Sequence, residues 1–190
     1  MENQAKQSVL TFHCDRIQQN GWEEIILRDE ATGAVATIIP SAGGILNKFE
    51  VPHNGKIINL VEGFNDADDW KANVTNGFKG SKLSPFVCRM NNSTYQWEGQ
   101  TYTTNKFALN GHAIHGLLYD VPHEVMIAEA SAFMAECKFL YRYKGTDPGF
   151  PFAFDMNIRY RLEGASRLTI ITTVHNRSGK TIPMSDGWHP

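Results

Sequence analysis

The sequence predicts a mostly antiparallel, sandwich-like β-protein forming a single domain over residues 1–190. Three observations predict it. Short segments rich in β-branched and aromatic residues recur along the whole length, each bounded by turn-forming residues. In one of them Phe152, Phe154, Met156, Ile158 and Tyr160 alternate strictly with Ala153, Asp155, Asn157, Arg159 and Arg161. That period of two marks a strand with one face buried and the other facing water or a cleft. Finally, no internal repeat, low-complexity tract or Ser/Pro linker divides the chain.

The N-terminal run predicts strands at 8–13, 23–28, 35–39, 45–51 and 56–61, separated by Asn20-Gly21 and by turn formers at 29–33, 41–44 and 53–55. Residues 65–74 predict a short helix, with Asn65 or Asp66 as N-cap and acidic side chains in its first turn. Residues 95–97 and 100–102 predict a hairpin turning at Glu98-Gly99, where glycine relieves a positive φ. Longer strands are expected at 124–130, 132–143, 152–162 and 167–176. Across the turn at 163–166, Leu168, Ile170 and Thr172 answer the inward face of the preceding strand.

Composition excludes several classes of partner. The chain has 18 Lys and Arg against 20 Asp and Glu, a formal charge of -2, and no basic stripe, so neither nucleic acid nor an anionic membrane is an expected partner. Cys14, Cys88 and Cys137 are scattered without CxxC spacing, which indicates neither a zinc knuckle nor a disulfide framework. Met1 to Gln7 are polar and show no apolar signal region, so a cytoplasmic address is expected. Aromatic residues make up 11% of the chain, which suits sugar stacking and strand-rich cores equally.

Three clusters offer chemistry. Asn110-Gly111-His112-Ala113-Ile114-His115-Gly116 places two histidines beside glycines that let backbone approach a ligand closely. It reads as a surface loop, as two ligands of a metal site, or as a polar sugar site where imidazoles exchange hydrogen bonds. Gly187-Trp188-His189-Pro190 reads as a tail whose tryptophan covers core, or as a second histidine site. Arg89, after Pro85-Phe86, is a surface charge or a guanidinium fork for sugar hydroxyls. Lys79 and Lys82 read as solvated surface.

Taken in order, these segments resemble the aldose 1-epimerase (galactose mutarotase) family. The resemblance is carried by Pro85-Phe86 with Arg89, by Tyr95, Trp97, Gly99 and Tyr102, and by Asn110 leading to His115-Gly116. Gly149-Phe150-Pro151-Phe152 and Gly187-Trp188-His189-Pro190 complete it. It runs from about Gly21 to the last residue. It implies the galactose mutarotase-like β-sandwich, or supersandwich, binding a hexose such as galactose or glucose in an open cleft, with no metal and no cofactor. His189 is then the acid at the sugar ring oxygen and His115 a hydrogen-bonding partner near that oxygen. Arg89, Asn110 and Trp188 are substrate-binding residues. Cys88 stands where the family often has asparagine, and Leu117 where it has a second glycine.

In the family, Gly-x-His-Pro is followed by further strands, a sugar-binding aspartate and a glutamate base. The expectation is therefore a sandwich incomplete at its C-terminal end, weak or inactive alone, and completed by a missing segment or a partner chain. A non-catalytic carbohydrate-binding domain, with Trp97 and Trp188 stacking on sugar faces, is the alternative.

Overall fold

A computed structural model describes residues 11–190. Strands β1 (Phe12–Gln19), β2 (Trp22–Asp29), β3 (Ala34–Ile39), β4 (Ile45–His53) and β5 (Lys56–Asn59) form one antiparallel sheet in sequence order. The expected strand at 8–13 lies partly outside the described residues, and the strand there continues to Gln19. As an edge strand β1 leaves Asp15, Arg16, Gln18 and Gln19 exposed, which blurred its period of two. Arg16 pairs with Glu23, and Arg28 with Asp15, across the β1–β2 register. Asn20 and Gly21 turn the hairpin with φ of 54° and 79°, the tight turn whose twist matches the flanking strands.

Helix α1 (Ala67–Asn73) is capped by Asp66, whose carboxylate accepts from the backbone N–H groups of Asp68 and Asp69. The Ala67 N–H donates to the Asn20 carbonyl at 2.9 Å and ties the helix to the first hairpin. Five very short strands then appear that periodicity did not foresee. They are β6 (Lys82–Leu83), β7 (Arg89–Met90), β10 (Ala108–Leu109) and β11 (His112–Ile114), with β16 (Gly187–Trp188) at the far end. The expected hairpin is β8 (Thr94–Trp97) against β9 (Gln100–Thr103).

The second large sheet is β12 (Glu124–Ala130), β13 (Met134–Tyr143), β14 (Phe154–Glu163) and β15 (Arg167–Asn176). β13 begins at Met134, because the Ser131 hydroxyl accepts from the N–H groups of Phe133 and Met134 and folds that stretch into a turn. Along β14 the inward set Phe154, Met156, Ile158, Tyr160 and Leu162 is fully buried, and Tyr160 faces Ile170 as Leu162 faces Leu168. These residues pack on Ile25, Leu27, Ala36, Ile38 and Leu46 of the first sheet to form the main core. The Tyr160 hydroxyl crosses it, donating to the Gly44 carbonyl at 2.8 Å. A second core, with Trp22, Ile39, Phe64, Phe78, Ile114 and Tyr119, lies under α1. No helix among the described residues is long and apolar enough to cross a membrane.

His123 links this architecture to pH. Its backbone N–H donates to the Pro40 carbonyl, its ring Nδ1–H donates to the Val121 carbonyl at 2.9 Å, and Nε2 is buried without a partner. Burial drives its pKa down from 6.5 to about 4, against a smaller upward pull from the Val121 hydrogen bond. The unfolded chain therefore binds a proton between those values that the folded chain refuses. The stabilisation is complete above about pH 6.5 and lost as pH falls toward 4, on the order of 3 kcal/mol in all. Urea melts at pH 7 and pH 4.5 should show this loss, and H123F should flatten it. An unchanged pH slope in H123F removes His123 as the cause.

Candidate functional site

One segment, residues 81–89, templates the site. The Ser81 carbonyl accepts the backbone N–H of His189 at 2.9 Å, just beyond the pairing of Trp188 with Lys82. The Ser84 carbonyl accepts from Leu117 at 2.7 Å and Leu118 at 3.2 Å. The Cys88 carbonyl accepts from His115 at 3.0 Å, continuing the register in which Ile114 faces Arg89. The two histidine segments and the arginine are thus laid out along a single backbone. His115 and Cys88 both take left-handed φ, 61° and 56°, a conformation uncommon outside glycine and a mark of sites where structure over-determines the backbone.

The rings of His115 and His189 lie edge to face, with centroids 5.3 Å apart and planes at 78°. Phe78 stands edge-on to His115 at 4.6 Å. Both imidazoles bury Nδ1 with no hydrogen-bond partner, which is costly unless something polar meets the ring. The pKa of His115 is lowered, first by burial, then by the positive charges of His189 and Arg89. His115 is therefore neutral at neutral pH, free to give or accept a hydrogen bond. Arg89 is exposed and makes no ion pair among the described residues.

The other residues singled out in the sequence lie elsewhere. Asn110 is exposed in the β10–β11 turn with φ of 54°, followed by Gly111 at 81°. Trp188 packs against the main core, its indole N–H donating to the Gly80 carbonyl at 3.1 Å; successive side chains of a strand point to opposite faces, so it turns away from His189. His112 Nδ1 accepts the Asn92 N–H at 3.0 Å and does not join His115. Among the described residues no three His, Cys, Asp or Glu side chains gather as metal ligands.

Lys82 corrects the solvated-surface expectation: its side chain is 3% exposed and its ammonium sits 2.6 Å from Asp186. Burying that ammonium requires the pairing, which engages the Asp186 carboxylate. Lys79 pairs with Glu62. Asp155 pairs with Arg177, and Asp147 accepts from Gly149 and Thr104. Phe78, Ser81 and Ser84 escaped sequence reading, because two act through backbone carbonyls and one through a left-handed φ no pattern announces. An apolar concavity of about 350 Å³ lies nearby, lined by Pro85, Phe86, Met90, Tyr95, Phe150 and Met184 but by neither imidazole.

The sequence matches the aldose 1-epimerase family over residues 24–190. No curated protein matches it significantly. Among solved structures, a galactose mutarotase-like protein from Clostridium acetobutylicum superposes with a TM-score of 0.75 at 22% identity, over 94% of this chain and 53% of that one. A galactose 1-epimerase from Lactobacillus acidophilus NCFM gives a TM-score of 0.72 at 15% identity, over 95% and 52%. An aldose epimerase homologue from C. elegans gives 0.66 at 23% identity, over 88% and 47%. These likenesses show the mutarotase β-sandwich fold, and the chain spans about half the length of the structures it matches.

Proposed function

Because this chain belongs to the aldose 1-epimerase family, we propose that it carries the imidazole and guanidinium part of a site that interconverts the anomers of free hexoses. The observation that carries this reading is the meeting of His115 and His189, ring centroids 5.3 Å apart, with Arg89 close enough for its charge to act on His115.

Mutarotation opens a cyclic hemiacetal. A base takes the proton of the anomeric hydroxyl while an acid protonates the ring oxygen. The C1–C2 bond then rotates, and reclosure on the other carbonyl face gives the opposite anomer. A group titrating near neutrality suits the acid, and it must lie within hydrogen-bond reach of the oxygen. In our reading His189 is that acid, His115 hydrogen-bonds near the same oxygen, and Arg89 orients hydroxyls. An unphosphorylated sugar fits best, since Lys79 and Lys82 are already paired with Glu62 and Asp186.

A specific observation favours a second reading, carbohydrate binding without turnover. Among the described residues no carboxylate hydrogen-bonds to either imidazole, and the acidic residues nearest to them in sequence, Asp186 and Asp120, are paired with Lys82 and Lys106. The exposed apolar side chains of Ile57 and Ile171, on the edge strands β5 and β15, are where a further segment or partner chain would lie.

Titrating galactose and glucose while following the ring protons of His115 and His189 by NMR, with polarimetry in parallel, separates the readings. Anomer interconversion requires both rings to shift and the optical rotation to relax faster than the blank. Shifts without faster relaxation favour binding alone. Silent rings at millimolar hexose end the sugar reading.

A further inference from the structure

Phe78 touches one imidazole of the pair and is linked through Ser81 to the backbone of the other. Its ring is edge-on to His115 at 4.6 Å and to Tyr119 at 5.0 Å, and tilted against Phe107 at 5.8 Å. Its carbonyl accepts the Ser81 N–H at 3.0 Å, and the Ser81 carbonyl in turn accepts the His189 N–H at 2.9 Å. Phe78 is therefore one side chain away from His115 and two hydrogen bonds away from His189.

Its conformation is the second observation. Phe78 is 4% exposed and has φ of 54°. A bulky aromatic residue is an outlier in the left-handed region, where glycine sits without penalty. Gly80, two residues on, is left-handed at φ of 64°, and Phe78 takes the same region without a glycine's freedom. Such strain persists where the surroundings over-determine it, typically beside functional groups.

We propose that Phe78 is a positioning residue of the imidazole site, its ring fixing the plane of His115 and its carbonyl, through Ser81, fixing the height of His189. The proposal rests on the reading of the two histidines as the working pair, and it assigns Phe78 no contact with substrate. The charged groups acting on His115 are His189 and Arg89; the Phe78 ring contributes the apolar wall that excludes water from its inner edge.

The test is NMR titration of the His115 and His189 ring protons in wild type, F78G and F78L. F78G relieves the φ strain and removes the ring. It should raise the His115 midpoint by about half a pH unit or more as water reaches the imidazole. F78L keeps apolar volume and the backbone strain. It should erase the ring-current displacement of the His115 protons while the melting temperature changes little. Where the wild type interconverts anomers, both variants should lose about tenfold or more in rate, with the pH profile of F78G moved upward. Absence of wild-type interconversion would defeat the mutarotation reading alone, because the titrations still judge Phe78. A His115 midpoint and ring shifts unchanged in a folded F78G or F78L overturn the proposal. Should F78G fail to fold, the His115 midpoint in F78L decides, an unchanged midpoint overturning the proposal.

Discussion

Replacing Gly116 with alanine is expected to destabilise the fold by on the order of 3 kcal/mol and to push His115 away from His189. A Cβ at this position would sit 2.2 Å from the Ser84 carbonyl oxygen, 2.5 Å from its carbon and 2.8 Å from its nitrogen. None of these is the end of a flexible side chain. They belong to backbone whose carbonyl already holds Leu117 and Leu118, so the loop or the 81–89 template must move. The φ of 83° adds its own penalty for an L side chain. Gly111 is the control. It has φ of 81° but nothing within 4 Å of its added Cβ, so its alanine variant should lose only about 1 kcal/mol. Urea melts of both variants, read beside the His115 ring protons, check the contrast. Equal stabilities for G116A and G111A would show that the close approach to Ser84 carries no weight.

If the proposed anomer interconversion holds, replacing His189 with asparagine is expected to slow it by roughly 10²–10⁴ while hexose binding persists. An amide can hydrogen-bond to a ring oxygen but cannot pass it a proton at neutral pH. The His189 backbone N–H is held by Ser81 whatever its side chain, so the segment should stay in place and the loss should fall on turnover rather than on affinity. Polarimetry on freshly dissolved galactose measures the rate, and NMR shifts of His115 measure occupancy. A rate equal to wild type would remove His189 from the proton transfer.

Much of the scaffold was legible because its signals are local. The alternation along β14, the Asp66 cap and the Glu98-Gly99 turn are each decided by residues a few positions apart. The short strands were not legible. β6 and β16 are two residues each and exist because Leu83 meets Gly187 and Lys82 meets Trp188, partners far apart in the chain. For the same reason Lys82 looked like surface: its burial depends on Asp186, which only the fold brings near. Motif order nominated His115, His189 and Arg89, and the fold brings the two imidazole rings together. Trp188 could not be placed, since which face of a two-residue strand points inward is set by its pairing partner.

The buried Nδ1 atoms carry a consequence for where the hydrogens reside. An unmet N–H is rarer inside proteins than an unmet lone pair, so the neutral His115 ring adopts the tautomer with hydrogen on Nε2 and leaves its bare nitrogen inside. Arg89 offers N–H groups only. His115 and Arg89 are then both donors, which in the proposed reading suits a pyranose ring oxygen that can only accept. The hydrogen departing from an anomeric hydroxyl must find its lone pair on some fourth group, and the supply of that group separates holding a sugar from turning it over.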